Sequence, residues 1–139
     1  MYTFEQLKED VRKEAEALKI HATKEERERL SFARFKPHQY DGCIYGQMCG
    51  YCHNLRAVDL IQKCTPRYFK DQSFTSIKHE GFGGIAKRVN GTTVEGFIED
   101  RHNERVGHFS AIEAYILLPE ANNASLISYL RGETENLEL

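Results

Sequence analysis

The stretch IAKRVNGTTVEGFI (Ile85–Ile98) decides the fold class, because it is where a strand period and a turn signal coincide. Asn90-Gly91 is the dipeptide whose tolerance of a left-handed backbone suits a two-residue hairpin turn. In the second arm Thr92, Val94, Gly96 and Ile98 alternate with Thr93, Glu95, Phe97 and Glu99, the two-residue period of a strand. Gly96 inside that arm marks a bulge or a close backbone approach. A lone hairpin is marginal in water and needs a further strand or a helix to pack on. Residues 74–78, Phe-Thr-Ser-Ile-Lys, alternate loosely and are the nearest third strand. The expected class is therefore α+β: about five helices packed around a small antiparallel sheet, hairpin 85–98 with a third strand near 74–78.

The helices are read on either side of that sheet. Phe4, Leu7, Val11, Ala15, Leu18 and Ala22 fall at steps of three and four, one apolar stripe. Thr3 with Gln6 forms a capping box at its start, and Thr23 with Glu26 forms a second one. Glu14, Glu16 and Lys19 are assigned to the solvent side of the first helix. Asn54 caps a helix on which Leu55, Val58, Ile61 and Cys64 share a face, with Ala57 and Leu60 beside them. Ser110, with Glu113 three residues on, opens an apolar helix that Pro119 ends, and Asn122 or Asn123 opens a last helix closed by Gly132. Residues 1–132 read as one globular domain, with 133–139 an acidic flexible tail.

Composition bounds the function. The 139 residues are 40% hydrophobic and 29% charged, enough for a core that does not depend on metal or crosslinks. A net charge of −2, from 19 basic and 21 acidic residues, places nucleic acid low among the partners, since phosphate binding draws on basic residues. Such a reading would have to use Lys24, Arg27, Arg29, Arg34 and Lys36, with Tyr40, Tyr45 and Tyr51 stacking on bases. No apolar run is long enough to span a bilayer, so no membrane role is expected. The N-terminus, amphipathic and acidic, does not resemble a targeting peptide. A cytoplasmic setting follows, in which cysteines are thiols or metal ligands.

All four cysteines lie between Asp41 and Cys64, in DGCIYGQMCGYCHNLRAVDLIQKC. Cys49-Gly50-Tyr51-Cys52 has the spacing that lets two thiolates reach one metal, and a structural zinc needs four Cys or His ligands. The candidate set is Cys43, Cys49, Cys52 and His53, while Cys64 reads as a small core hydrophobe on its helix face. A redox pair, Cys49 with Cys52 before a helix, is a second reading, and reduced structural thiols are a third. The aromatic and polar residues of the same stretch, Tyr45, Gln47, Tyr51 and His53, are the candidate ligand-binding groups.

The function expected is that of a small cytosolic binding or regulatory protein without catalysis. It would recognise a small ligand or a protein partner through the Tyr/Gly/Cys-rich loop, with homo-oligomer formation as a further expectation. The rival is a small enzyme. Either Cys49 or Cys52 acts as nucleophile with His53 or His108 as base, or His102 and His108 with Glu99, Asp100 and Glu104 hold a catalytic metal.

Overall fold

A computed structural model of the chain describes residues 3–36, 39–52, 54–65, 67–68 and 108–139. Its elements are α1 (Phe4–His21), α2 (Lys24–Glu28), a 3₁₀ turn (Phe32–Arg34), α3 (Ile44–Cys49), α4 (Leu55–Cys64), β1 (Arg67–Tyr68), β2 (His108–Phe109), α5 (Ala111–Ile116) and α6 (Asn123–Leu130). This corrects the α+β expectation: the described fold is all-helical, with six α-helices. The only extended pairing among the described residues is a two-residue antiparallel ladder, Arg67 opposite Phe109 and Tyr68 opposite His108. The hairpin at 85–98 and the strand near 74–78 lie outside the described residues. The described core is assembled from helix faces, with no sheet layer between them.

Helix α1 is the axis. Its stripe Leu7, Val11, Ala15 and Leu18 is fully buried, and α5, α4, α6 and α2 all pack on it. Phe4 stacks on Tyr115 of α5 with ring centroids 6.3 Å apart. All six residues of α5 are buried, as its nearly uniform apolar character requires. On α4 the buried face is Ala57, Val58, Leu60, Ile61 and Cys64, so Cys64 is a core residue, whereas Leu55 in the first turn points to solvent.

The helix ends follow local chemistry. Both capping boxes form: Thr3 with Gln6, and Thr23 with Glu26, each side chain and backbone bonding reciprocally. Asn54, Ser110 and Asn122 accept from the third residue of their helices. Helix α6 ends in a Schellman motif: Gly132, at φ +80°, donates to Tyr129 O, and Glu133 donates to Ser128 O. Arginines also reach two helix ends, Arg27 at Leu130 O of α6 (2.9 Å) and Arg29 at Met48 O of α3 (2.7 Å), where the aligned carbonyls favour a cation. Beyond α6 the chain returns along α1 and α6: Arg12 donates to Leu137 O, Glu138 N donates to Ser125 Oγ, and Leu137 and Leu139 rest on the core.

Candidate functional site

The glycine- and tyrosine-rich stretch forms a closed loop around α3. Lys36 N donates to Gly42 O, Gly42 N and Cys43 N both donate to Gln39 O, and Cys52 N donates to Tyr40 O. Gln47 holds the loop to the 3₁₀ turn. Its carbonyl accepts from Ser31 N at 2.7 Å, and its amide donates to Ser31 O and Gly42 O at 3.0 Å each. Asn54 donates to Cys49 O, which ties the end of α3 to the start of α4. Gly46 is where α3 lies directly on the loop backbone. A Cβ there would land on the Tyr40 carbonyl oxygen, and would lie 2.9 Å from the carbonyl carbon and 3.0 Å from Asp41 Cα.

This rigid loop presents a surface cleft of about 290 Å³ lined by Arg29, Arg34, Asp41, Gly46, Gln47 and Gly50. Arg34 donates to Arg29 O at 3.2 Å, and neither arginine is ion-paired with a carboxylate among the described residues. The cleft lining thus carries two arginines and one carboxylate residue, Asp41, with Arg29 also donating to Met48 O. Next to the cleft residues in the chain stand Tyr40 and Tyr51, 54% and 45% exposed, packed edge-to-face with centroids 5.4 Å apart. Two exposed tyrosines held against each other on a braced loop are the kind of aromatic surface on which ligands pack.

Of the expected ligand-binding residues, Tyr51 is at this surface. Gln47 lines the cleft but has both amide groups engaged in the loop. Tyr45 is fully buried and donates to Glu14 at 2.8 Å. His53 lies outside the described residues. The sequence places Arg29, Arg34 and Tyr40 only in the nucleic-acid reading, as basic and base-stacking groups. Their sequence distance from Gly46 and Gly50 gives no signal that the fold brings them together.

The zinc expectation is corrected by where the thiols point. No group of three or more His, Cys, Asp or Glu side chains converges among the described residues. Cys43 and Cys52 are both fully buried, and Cys43 Sγ accepts from Gly46 N at 3.3 Å as the cap of α3. Cys49 is turned the other way, its sulfur 3.9 Å from Glu26 Oε2. Between the two halves of the Cys-x-x-Cys spacing the chain leaves α3 at Cys49 and turns at the left-handed Gly50. Cys43, Cys49 and Cys64 are not activated thiols. Burial and the Glu26 carboxylate push Cys49 up to about 11, burial and Glu14 push Cys64 up to about 12, and the Cys52 thiol with burial raises Cys43 far above the ordinary thiol range. Glu26 itself is held down to about 2 by a two-pronged bond with Arg56, whose Nε and Nη2 lie 2.9 and 2.8 Å from its oxygens. The second enzymatic set, Glu99, Asp100, His102 and Glu104, lies outside the described residues, and so does the side chain of His108.

The most unusual polar group is in the core. Glu14, assigned to the solvent side from its charge, has no exposure at all. Position 14 lies three residues after Val11 and four before Leu18, so it falls on the apolar stripe. That spacing was the available signal. Its Oε2 accepts from Tyr45 Oη (2.8 Å) and Ser110 Oγ (2.7 Å), and its Oε1 accepts from Ile112 N (3.1 Å). Burial pushes its pKa up to about 7 against the pull of those donors, to which the Ala111 backbone adds. Glu14 thus joins α1, α3 and the start of α5 through one carboxyl. Ser110 has two bonds to lose, the cap to Glu113 N at 3.2 Å and the donation to Glu14. Ser110→Ala is expected to destabilise the fold by about 2 kcal/mol in urea unfolding, more than a cap alone; a loss under about 0.5 kcal/mol would show that the Glu14 bond contributes nothing.

Among the described residues no helix is long and apolar enough to cross a membrane. Comparison of the chain with models of known protein families, with curated proteins and with solved structures finds no match to any of them.

Proposed function

We propose that the chain is a small binding protein whose recognition surface is the Arg29–Arg34 cleft together with the Tyr40–Tyr51 pair. The observation that carries this reading is the pairing of two arginines free of ion-paired carboxylates, among the described residues, with exposed aromatic rings on a loop fixed by its own hydrogen bonds. Preorganised loops bind without a large ordering cost. A guanidinium pair selects a planar or tetrahedral anion, and the tyrosine rings offer a flat apolar face. The ligand class is a small molecule carrying an anionic group beside a flat ring. A protein segment with the same chemistry, including one from a second copy of the chain, would engage the same residues. The cysteines take no part in catalysis in this reading, and a cytoplasmic setting would keep them reduced.

The test is a titration of isotope-labelled protein with mononucleotides and aromatic carboxylates, followed through backbone amide shifts. Saturable shifts are expected within residues 29–34 and 40–51, with Arg34→Gln weakening the response about tenfold, the loss of one charge-assisted contact. Shifts confined to other parts of the chain, or an unchanged affinity in Arg34→Gln, would remove the cleft as the site.

A further inference from the structure

We propose that the buried Glu14 carboxyl is a proton-operated control on the cleft: α3 is seated while Glu14 holds its proton, and loses its seat, with the cleft it lines, when the proton leaves. The control rests on the cleft being the binding site. Glu14 has no exposed surface, and no lysine, arginine or histidine among the described residues is ion-paired with it. The donors that reach it, Tyr45 Oη, Ser110 Oγ and Ile112 N, are all neutral. A carboxylate there has dipoles around it in place of a counter-charge and bulk solvent, and a buried charge held in that way is costly. The seated arrangement therefore favours the protonated form, and ionisation favours an arrangement in which water reaches the carboxylate.

Which element yields follows from how each donor is held. Ser110 and Ile112 belong to the start of α5, whose six residues are all buried and whose Tyr115 stacks on Phe4 of α1. Tyr45 comes from α3, a helix of six residues that packs on α4 and α2 and reaches Glu14 through the tyrosine hydroxyl. Tyr45 is followed directly by Gly46 and Gln47, and both line the cleft. Gly46 lies on the loop backbone at Tyr40 and Asp41, so a shift of α3 at Tyr45 moves a cleft wall. The other titratable groups beside this path are Cys64 of α4, whose thiol burial keeps neutral, and Glu113 of α5, fully buried, whose charge reaches Tyr45. In the seated arrangement Glu14 keeps its proton up to about 7, whereas a hydrated carboxyl keeps it only to the ordinary 4.5. The seated share, and with it the affinity of a ligand that fits the seated cleft, therefore falls as pH rises from 4.5 to 7 and is level above that.

The experiment uses full-length, isotope-labelled wild type and Glu14→Gln between about pH 5.5 and 8, without ligand and then with 2-naphthoate, a carboxylate ionised throughout that range. Without ligand, the Ser31 amide and the Gln47 side-chain amide, which bond to each other's residues and not to Glu14, report the seat of α3. Both are expected to shift with the midpoint of the Glu14 carboxyl carbon in the wild type, and to stay still in Glu14→Gln. The carbon is read in the wild type, so the comparison of midpoints survives a variant that fails to fold. With ligand, the wild type is expected to bind about fivefold more weakly at the upper pH than at the lower, and Glu14→Gln equally at both. A shift of the two amides that persists in Glu14→Gln belongs to another group such as Glu113 and overturns the control. Amides that stay still while the Glu14 carbon titrates overturn it too. A wild-type affinity that does not change with pH overturns the control and leaves the cleft as the binding site. No saturable shift at the cleft at any pH, with 2-naphthoate or with a mononucleotide, removes the binding site and the control together.

Discussion

Gly46→Ala is expected to destabilise the protein by about 3 kcal/mol, although the same exchange in an open helix would stabilise it by up to about 1 kcal/mol. The reversal of sign is the point of the measurement. Gly46 sits inside α3, at a helical backbone that any residue adopts, so conformational freedom is not its reason for being there. What excludes a methyl group is space. The Tyr40 carbonyl and Asp41 Cα occupy the position where it would go, and both are backbone atoms of a segment pinned by the Cys52 N–Tyr40 O and Cys43 N–Gln39 O bonds. Relief requires α3 to move off the loop, which would pull Tyr45 from Glu14 and Met48 from the core. Gly50→Ala is the matched control. Nothing lies within 4 Å of its Cβ position, but its φ of +88° strains any side chain, so about 1 kcal/mol should be lost. Urea unfolding of the two variants beside the wild type decides the matter. A Gly46→Ala protein as stable as the wild type would mean that the close approach of helix and loop is not a feature of the folded chain.

The described helices were legible because their signals are local. Thr3, Thr23, Asn54, Ser110 and Asn122 each announce a helix start through an oxygen that can reach the third backbone N–H, and each does so. The stripe of α1 and the burial of Cys64 follow from spacing alone. The site was less legible, for two physical reasons. Charge alone puts Glu14 at the surface, whereas position on the stripe decides it, once Tyr45 and Ser110 arrive from 31 and 96 residues away with hydroxyls to donate. Sequence spacing alone pairs Cys49 with Cys52. Helix α3 ends at Cys49 and the left-handed Gly50 turns the chain before Cys52, so the Cys49 sulfur lies toward Glu26 while Cys52 N returns to Tyr40 O. Tyr40 and Tyr51 meet for the same reason, since the loop that closes on Gln39 and Tyr40 brings the two ends of the cysteine-rich stretch together. Long-range pairings of this kind leave no trace in a local pattern.

The buried carboxyl predicts a pH dependence with a definite sign. Glu14 rises from an ordinary value of 4.5 to about 7 in the folded chain, so its proton is held more tightly folded than unfolded. The stability it contributes is complete below pH 4.5, falls as pH rises from 4.5 to 7, and stays at its lower level above that. The shift corresponds to about 3 kcal/mol across the window, with the carboxyl fully buried and little screened. The groups facing it are Tyr45 from α3, Ser110 and the Ile112 N–H from the start of α5, and Cys64 from α4; Tyr45 and Cys64 stay neutral throughout that range, since burial raises both. Glu26 works in the opposite direction and in a different window: lowered to about 2, it removes stability only as pH falls from 4.5 towards 2. Glu14→Gln isolates the first effect. The amide cannot ionise, but its NH₂ faces a site built from donors, so at pH 4.5 the variant is expected to be roughly 1 kcal/mol less stable than the wild type. As pH rises the wild type loses its advantage and the variant does not, so the two stability curves should cross at pH ~5.5 and leave the variant ahead at pH 8. Urea midpoints taken at half-unit steps between pH 4.5 and 8 give the comparison. Parallel curves, with a constant gap over that range, would mean that Glu14 stays ionised when buried and that its donors outweigh the loss of solvent.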